Sequence, residues 1–153
     1  MPRAYLVAIA AGGSAALLLG AFGFQYLGGL APCKLCLWQR WPHGAAVLIG
    51  ILALLLPGRA LPFAGAGAAL VTGALGGYHM GIEQGWWPGP ATCSAAAPGS
   101  LPADALFERI MAAPVVRCDE VPRQMLGLSM AGWNMALSLA LALVWVMATR
   151  KPA

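Results

Sequence analysis

Residues 60–82 read ALPFAGAGAALVTGALGGYHMGI, without a single Asp, Glu, Lys or Arg. A helix needs roughly 20 mostly apolar residues to cross the hydrocarbon core of a bilayer, and this run supplies them. Working outward, the runs 4–33, 41–58 and 124–149 are equally free of charge. A fifth such run, 84–103, carries Pro88, Pro90, Pro98 and Pro102. Those prolines break a helix and leave backbone groups unpaired in lipid, so it does not span.

The pattern predicts an all-α membrane protein. Its expected form is a single domain over 1–153, a four-transmembrane-helix bundle with spans near 5–27, 38–56, 62–82 and 126–148. A loop of about 83–125 joins the last two. Composition agrees. Of 153 residues, 60% are hydrophobic and 9% charged, whereas a soluble domain carries about 25% charged residues. That excludes an ordinary soluble domain, and the apolar content excludes disorder. Arg3 before an apolar stretch also has the look of a signal peptide. The stretch is too long for one and three more spans follow, so an uncleaved helix is expected.

Four spans place both ends of the chain on one side, with Arg3, Arg59, Arg150 and Lys151 on very short segments. The other side carries Lys34, Arg40, Arg109, Arg117 and Arg123 together with all five acids. The density of cations on the short segments places both termini and the 57–61 turn in the cytoplasm. The net charge of +4 is the cytoplasmic total, and no nucleic acid is needed to explain it. Gly73, Gly77 and Gly81 recur every four residues, a spacing that lets helix backbones approach closely. Packing within the bundle is the expected use, a dimer seam the alternative.

Cys33, Cys36, Cys93 and Cys118 all map to the outward side, where an even number of cysteines reads as disulfides. Cys33 and Cys36 form a Cys-x-x-Cys at the start of the second helix. Helix N-termini and nearby cations such as Lys34 and Arg40 lower thiol pKa values. Arg40 follows Cys36 by four residues and His43 by seven, so the three share a face. A guanidinium inside the membrane boundary needs a partner, and a thiolate suits it; snorkelling to headgroups is the plain alternative. Cys93 and Cys118 lie in the long loop. A disulfide there either staples the loop or, if exposed and mobile, serves as an exchange partner. Between them, Leu106, Phe107, Ile110 and Met111 predict a short horizontal helix on the membrane surface. One tight cysteine pair does not make the two that structural zinc sites show, so no metal site is expected. Trp38, Trp41, Trp86, Trp87 and Trp133 cluster on the outer side as an interfacial belt, or as walls for a flat ring.

The stretch Pro32-Cys-Lys-Leu-Cys-Leu-Trp-Gln-Arg40, the four spans, the two loop cysteines and the segment Leu126-Gly-Leu-Ser-Met-Ala-Gly-Trp133 resemble the bacterial disulfide-bond formation protein B (DsbB) family. The resemblance covers nearly the whole chain. It implies a quinone-dependent protein-disulfide oxidoreductase of the bacterial inner membrane. Its partners would be a periplasmic DsbA-like protein of thioredoxin fold and the membrane quinone pool, ubiquinone or menaquinone. By this resemblance a thiolate of the partner attacks Cys93 of a Cys93–Cys118 disulfide. Cys118 then exchanges with Cys33, and the released Cys36 thiolate meets the quinone, with Arg40 polarising its oxygen and His43 nearby. Where some members carry a His just after an acidic residue at the end of the third span, this chain has Glu83-Gln84. Two alternatives stand beside this one. A vitamin K epoxide reductase-like protein shares four spans, Cys-x-x-Cys and a quinone, but there the pair follows the loop cysteines. A membrane scaffold or metal carrier with structural disulfides is the non-enzymatic alternative.

Overall fold

In the computed structural model the described residues are 1–90, 93, 104, 107, 116–121 and 124–151. Of the horizontal helix expected around Leu106 to Met111, all but Phe107 lies outside them. Four long helices form: α1 Arg3–Tyr26, α2 Lys34–Leu55, α3 Ala60–Glu83 and α4 Met130–Thr149. Three of them, α1, α3 and α4, are long and apolar enough to cross a membrane. Gln39, Arg40, Pro42 and His43 make the N-terminal half of α2 more polar than the others. One element departs from the all-α expectation. Two-residue strands β1 (Gln124–Met125) and β2 (Leu128–Ser129) pair antiparallel just before α4. Their turn needs positive φ at Leu126 (53°) and Gly127 (80°), which glycine adopts freely and leucine does not.

The helices pack as a ring, each against its sequence neighbours, with α4 closing onto α1. Small residues make this possible. A Cβ on Gly76 of α3 would sit 2.9 Å from the Met135 backbone N and 3.0 Å from the Ala131 carbonyl of α4. Gly73 and Gly77 also face α4, so the four-residue glycine spacing serves packing inside the bundle. At one end Leu6, Val7, Ala10, Ala53, Ala66, Ala69, Ala142 and Ala148 enclose the fully buried Trp145. Arg3 ties α1 to the α2–α3 turn there, donating to the Gly58 carbonyl at 2.9 Å. The opposite end holds a second buried cluster: Cys33, Leu35, Ile82, Cys93 and Cys118.

Side chains cap both helices that begin at this second end. Cys33 Sγ accepts from the Cys36 N–H of α2, and Ser129 Oγ accepts from the Gly132 N–H of α4 at 3.1 Å. Losing such a cap costs about 1 kcal/mol. Ser129→Ala is therefore expected to lower the thermal midpoint of the detergent-solubilised protein by about 3 °C. An unchanged midpoint would mean that the hairpin alone holds the start of α4.

Candidate functional site

The Cys-x-x-Cys folds as a helix start because Cys33 itself serves as the N-cap. This puts the Cys33 sulfur 2.6 Å from that of Cys36 and 3.1 Å from the Cys36 N–H. Both cysteines of this pair are free. The hydrogen bond shared with Cys36, together with burial, pushes the Cys33 thiol far above its ordinary range. When one of two thiols this close ionises, the other holds the remaining proton tightly.

Cys93 and Cys118 are joined by a disulfide. Of the two forms left open for it, an exposed disulfide and a staple, the structure shows a buried one. Cys93 and Cys118 are 4% and 1% accessible, because they share a buried cluster with Leu35 at the start of α2 and Ile82 at the end of α3. Backbone bonds hold it there, with Cys93 N–H donating to the Pro90 carbonyl and Cys118 N–H to that of Cys93. The Cys118 sulfur, the Cys33 sulfur and a ring nitrogen of His79 lie within 4.8 Å of one another. Two cysteine pairs separated by a long stretch of chain thus meet in one cluster. Beside Cys118, the Arg117 guanidinium holds the Asp119 carboxyl below its usual range.

A cavity of about 510 Å³ opens between α1 and α4 beside the sulfurs. Cys33, Cys36, Arg40, His43, His79 and Glu83 contribute to its wall, as do apolar residues such as Leu17, Phe24, Leu126 and Leu137. Arg40 does not pair with Cys36, the partner its spacing suggested. Its guanidinium reaches across to α1, donating to the Gln25 side chain and the Ala21 carbonyl and lying 4.8 Å from the Phe22 ring centre. The helix face was right, but a long side chain on it reaches α1 as readily as the sulfur. Arg40 Nε and His43 Nδ1 are buried without a partner.

Sequence reasoning missed a polar chain that runs inward from the sulfurs. His79 Nε2 lies 3.6 Å from Cys33 Sγ, and His79 Nδ1 lies 3.0 Å from the Gln39 amide. Asn134 of α4 meets Gln39 at 2.7 Å and His43 at 2.8 Å. Thr72 and Ser138 complete the group. The available signal was a polar residue inside each of several charge-free runs, which in a membrane points to function or to a partner. Glu83, one turn after His79, is buried with Oε1 3.9 Å from His79 Nε2.

The family model for Disulfide bond formation protein DsbB matches residues 3–148. The chain is 34% identical over 145 residues to Disulfide bond formation protein B of Pasteurella multocida, covering 87% of this chain and 81% of that one. It is 32% identical over 151 residues to Disulfide bond formation protein B 2 of Pseudomonas aeruginosa, covering 93% and 87%. No solved structure matches it. Two cysteine pairs brought together at one end of an apolar helical bundle are what that match leads one to expect, and the chain belongs to the disulfide bond formation protein B family.

Proposed function

We propose that the protein is a membrane thiol oxidase that reoxidises a DsbA-like dithiol protein and delivers the electrons to a membrane quinone. The observation that carries this reading is the approach of Cys118 to Cys33 inside one buried cluster, next to a cavity that Cys36 lines. Thiol–disulfide exchange needs an attacking thiolate close to a disulfide sulfur. A partner thiolate attacking Cys93 releases Cys118, and Cys118 is then within reach of Cys33. With Cys33 and Cys36 oxidised to their own disulfide, the Cys118 thiolate attacks Cys33, forming Cys118–Cys33, breaking Cys33–Cys36 and leaving the charge on Cys36, at the cavity wall. Cys93, freed when the partner's second thiol closes the partner's disulfide, then attacks Cys118 and returns Cys33 as a thiol. Each exchange forms one S–S bond and breaks one. Two electrons and two protons leave the Cys33–Cys36 dithiol as its disulfide forms.

The cavity residues fit a quinone. The apolar side chains of α1 and α4 suit a flat ring. Arg40 Nε, buried and unpartnered, offers a donor to a quinone oxygen, and His43 Nδ1, also unpartnered, an acceptor for the hydroxyl that the reduced ring would carry. A quinone bound there supplies a two-electron, two-proton sink. Arg40, held from α1 by Gln25, presents a fixed positive charge to any anion that forms beside it.

In this reading all four helices cross the bacterial inner membrane. The end with Arg3, Arg59, Arg150 and Lys151 is cytoplasmic, and the cysteine end faces the periplasm. Against a vitamin K epoxide reductase-like protein stands the order of the cysteines. The test mixes purified protein, a reduced periplasmic dithiol protein and a quinone, and follows quinone absorbance. Quinone reduction is expected, and none with the cysteines intact would overturn the proposal. Arg40→Ala is expected to raise the quinone KM about tenfold, the loss of one charge-assisted hydrogen bond. An unchanged KM would reduce Arg40 to an anchor between α1 and α2.

A further inference from the structure

The amide of Asn134 has a definite direction. One end faces three acceptors: the Thr72 carbonyl at 3.1 Å, the Thr72 hydroxyl oxygen at 3.2 Å and Gln39 Oε1 at 2.7 Å. A backbone carbonyl only accepts, and the Thr72 hydroxyl proton is already given to the Gln39 carbonyl. The –NH₂ of Asn134 must therefore lie at this end. Its oxygen then faces His43 Nε2 and the Ser138 hydroxyl, both of which donate to it.

The direction propagates. Gln39 Oε1 accepts from Asn134, so the Gln39 –NH₂ is the end turned toward His79. It donates to His79 Nδ1, which must be the unprotonated nitrogen. The ring proton of a neutral imidazole is then on Nε2. Around Nε2 lie Cys33 Sγ at 3.6 Å and Glu83 Oε1 at 3.9 Å, each with lone pairs that can receive that proton.

We infer that Asn134 is a positioning residue for the thiol pair: acting through Gln39, it fixes His79 as the Nε2–H tautomer, whose N–H is given to the Cys33 sulfur. His79 is thus a hydrogen-bond donor to sulfur and not the base that a neighbouring Cys and His first suggest. With the Cys36 N–H it places two donors on Cys33, which favours reduced Cys33 over its disulfide. The starting point is the Thr72 carbonyl of α3, and the information passes through α4 and α2 before it returns to α3. The same amide sets His43 as an Nε2–H donor, leaving His43 Nδ1 as an open acceptor. The consequence for the thiol pair rests on the function proposed above, whereas the tautomer does not.

The chain has two histidines, so protein labelled with ¹⁵N-histidine shows two ring spin systems by NMR, assigned with His79→Ala. In the wild-type protein His79 is expected to carry its proton on Nε2. Asn134→Leu lets the Gln39 amide turn over, and His79 becomes a mixture of tautomers. In glutathione buffers the Cys33–Cys36 equilibrium of that variant shifts about fivefold toward the disulfide, the loss of one hydrogen bond. Gln39→Met is expected to do the same and serves if Asn134→Leu does not fold. A wild-type His79 protonated on Nδ1 overturns the inference. So do folded variants with an unchanged tautomer, or a changed tautomer with an unchanged equilibrium. The glutathione titration needs neither quinone nor partner protein, so failure of the proposed function would be seen separately.

Discussion

Cys36→Ser will stop catalytic quinone reduction, by roughly a thousandfold or more, and yet leave one round of exchange intact. The thiolate is the nucleophile in this chemistry, and a serine hydroxyl at the same place does not ionise near neutral pH. Losing a residue that forms and breaks the reacting bonds is among the largest single effects known in enzymes. The Cys93–Cys118 disulfide survives the substitution, because neither of its sulfurs is touched. Reduced partner protein should therefore be oxidised in a burst of about one equivalent per protein. No further oxidation should follow, since Cys33 alone cannot form the disulfide that releases electrons. Counting free thiols on the partner against time checks this. Steady turnover in the variant would remove the Cys33–Cys36 pair from the electron path.

Gly76→Val is expected to be the most damaging change away from the sulfurs. Its Cβ would meet the Met135 N and the Ala131 carbonyl, which are backbone atoms of a packed helix and cannot swing aside, and the Asn134 amide at 3.0 Å. Forcing extra carbon into such a contact costs about 3 kcal/mol. For a chain of this size that is about 9 °C of thermal midpoint. Two comparisons sharpen the test. At Gly77 the new Cβ meets the Met135 thioether at 3.0 Å, the mobile end of a flexible side chain, so Gly77→Ala should cost little. At Gly67 nothing lies within 4 Å, and alanine there should stabilise the helix by about 0.5–1 kcal/mol. Equal changes at all three positions would mean that the midpoint does not report the α3–α4 contact.

The helices were legible because membrane spans depend on composition over long runs, which a single sequence displays. The charge-free runs place α1, α3 and α4 within a few residues of their ends. The Cys-x-x-Cys likewise declared itself through a spacing of three. The polar chain did not. Thr72, His79, Gln39 and Asn134 sit on three helices, and Gln39 and Asn134 are 95 residues apart. Only the ring order of the bundle brings them together, and no local pattern encodes it. The burial of Cys93 and Cys118 was missed for a related reason. A proline- and glycine-rich loop has little core of its own, but it can borrow one, here Leu35 and Ile82. Arg40 shows the limit of helix-face reasoning: periodicity chose its side of α2, and the residues of α1 chose its partner.

The apolar end around Trp145 has an electrical consequence. The polar chain descends from the sulfurs as far as Asn134 and Ser138. Beyond it the buried hydrophobic cluster is alanine, leucine and valine around one indole, and the buried Thr149 hydroxyl is taken up by the Val146 carbonyl. Such a dry constriction admits neither water nor ions. A bundle that handles electrons and protons at one face must not let those protons drain through to the other. On the function proposed above, Trp145 and its alanines would act as the insulator, so that the redox chemistry beside them runs without discharging the ion gradient of the membrane that holds it.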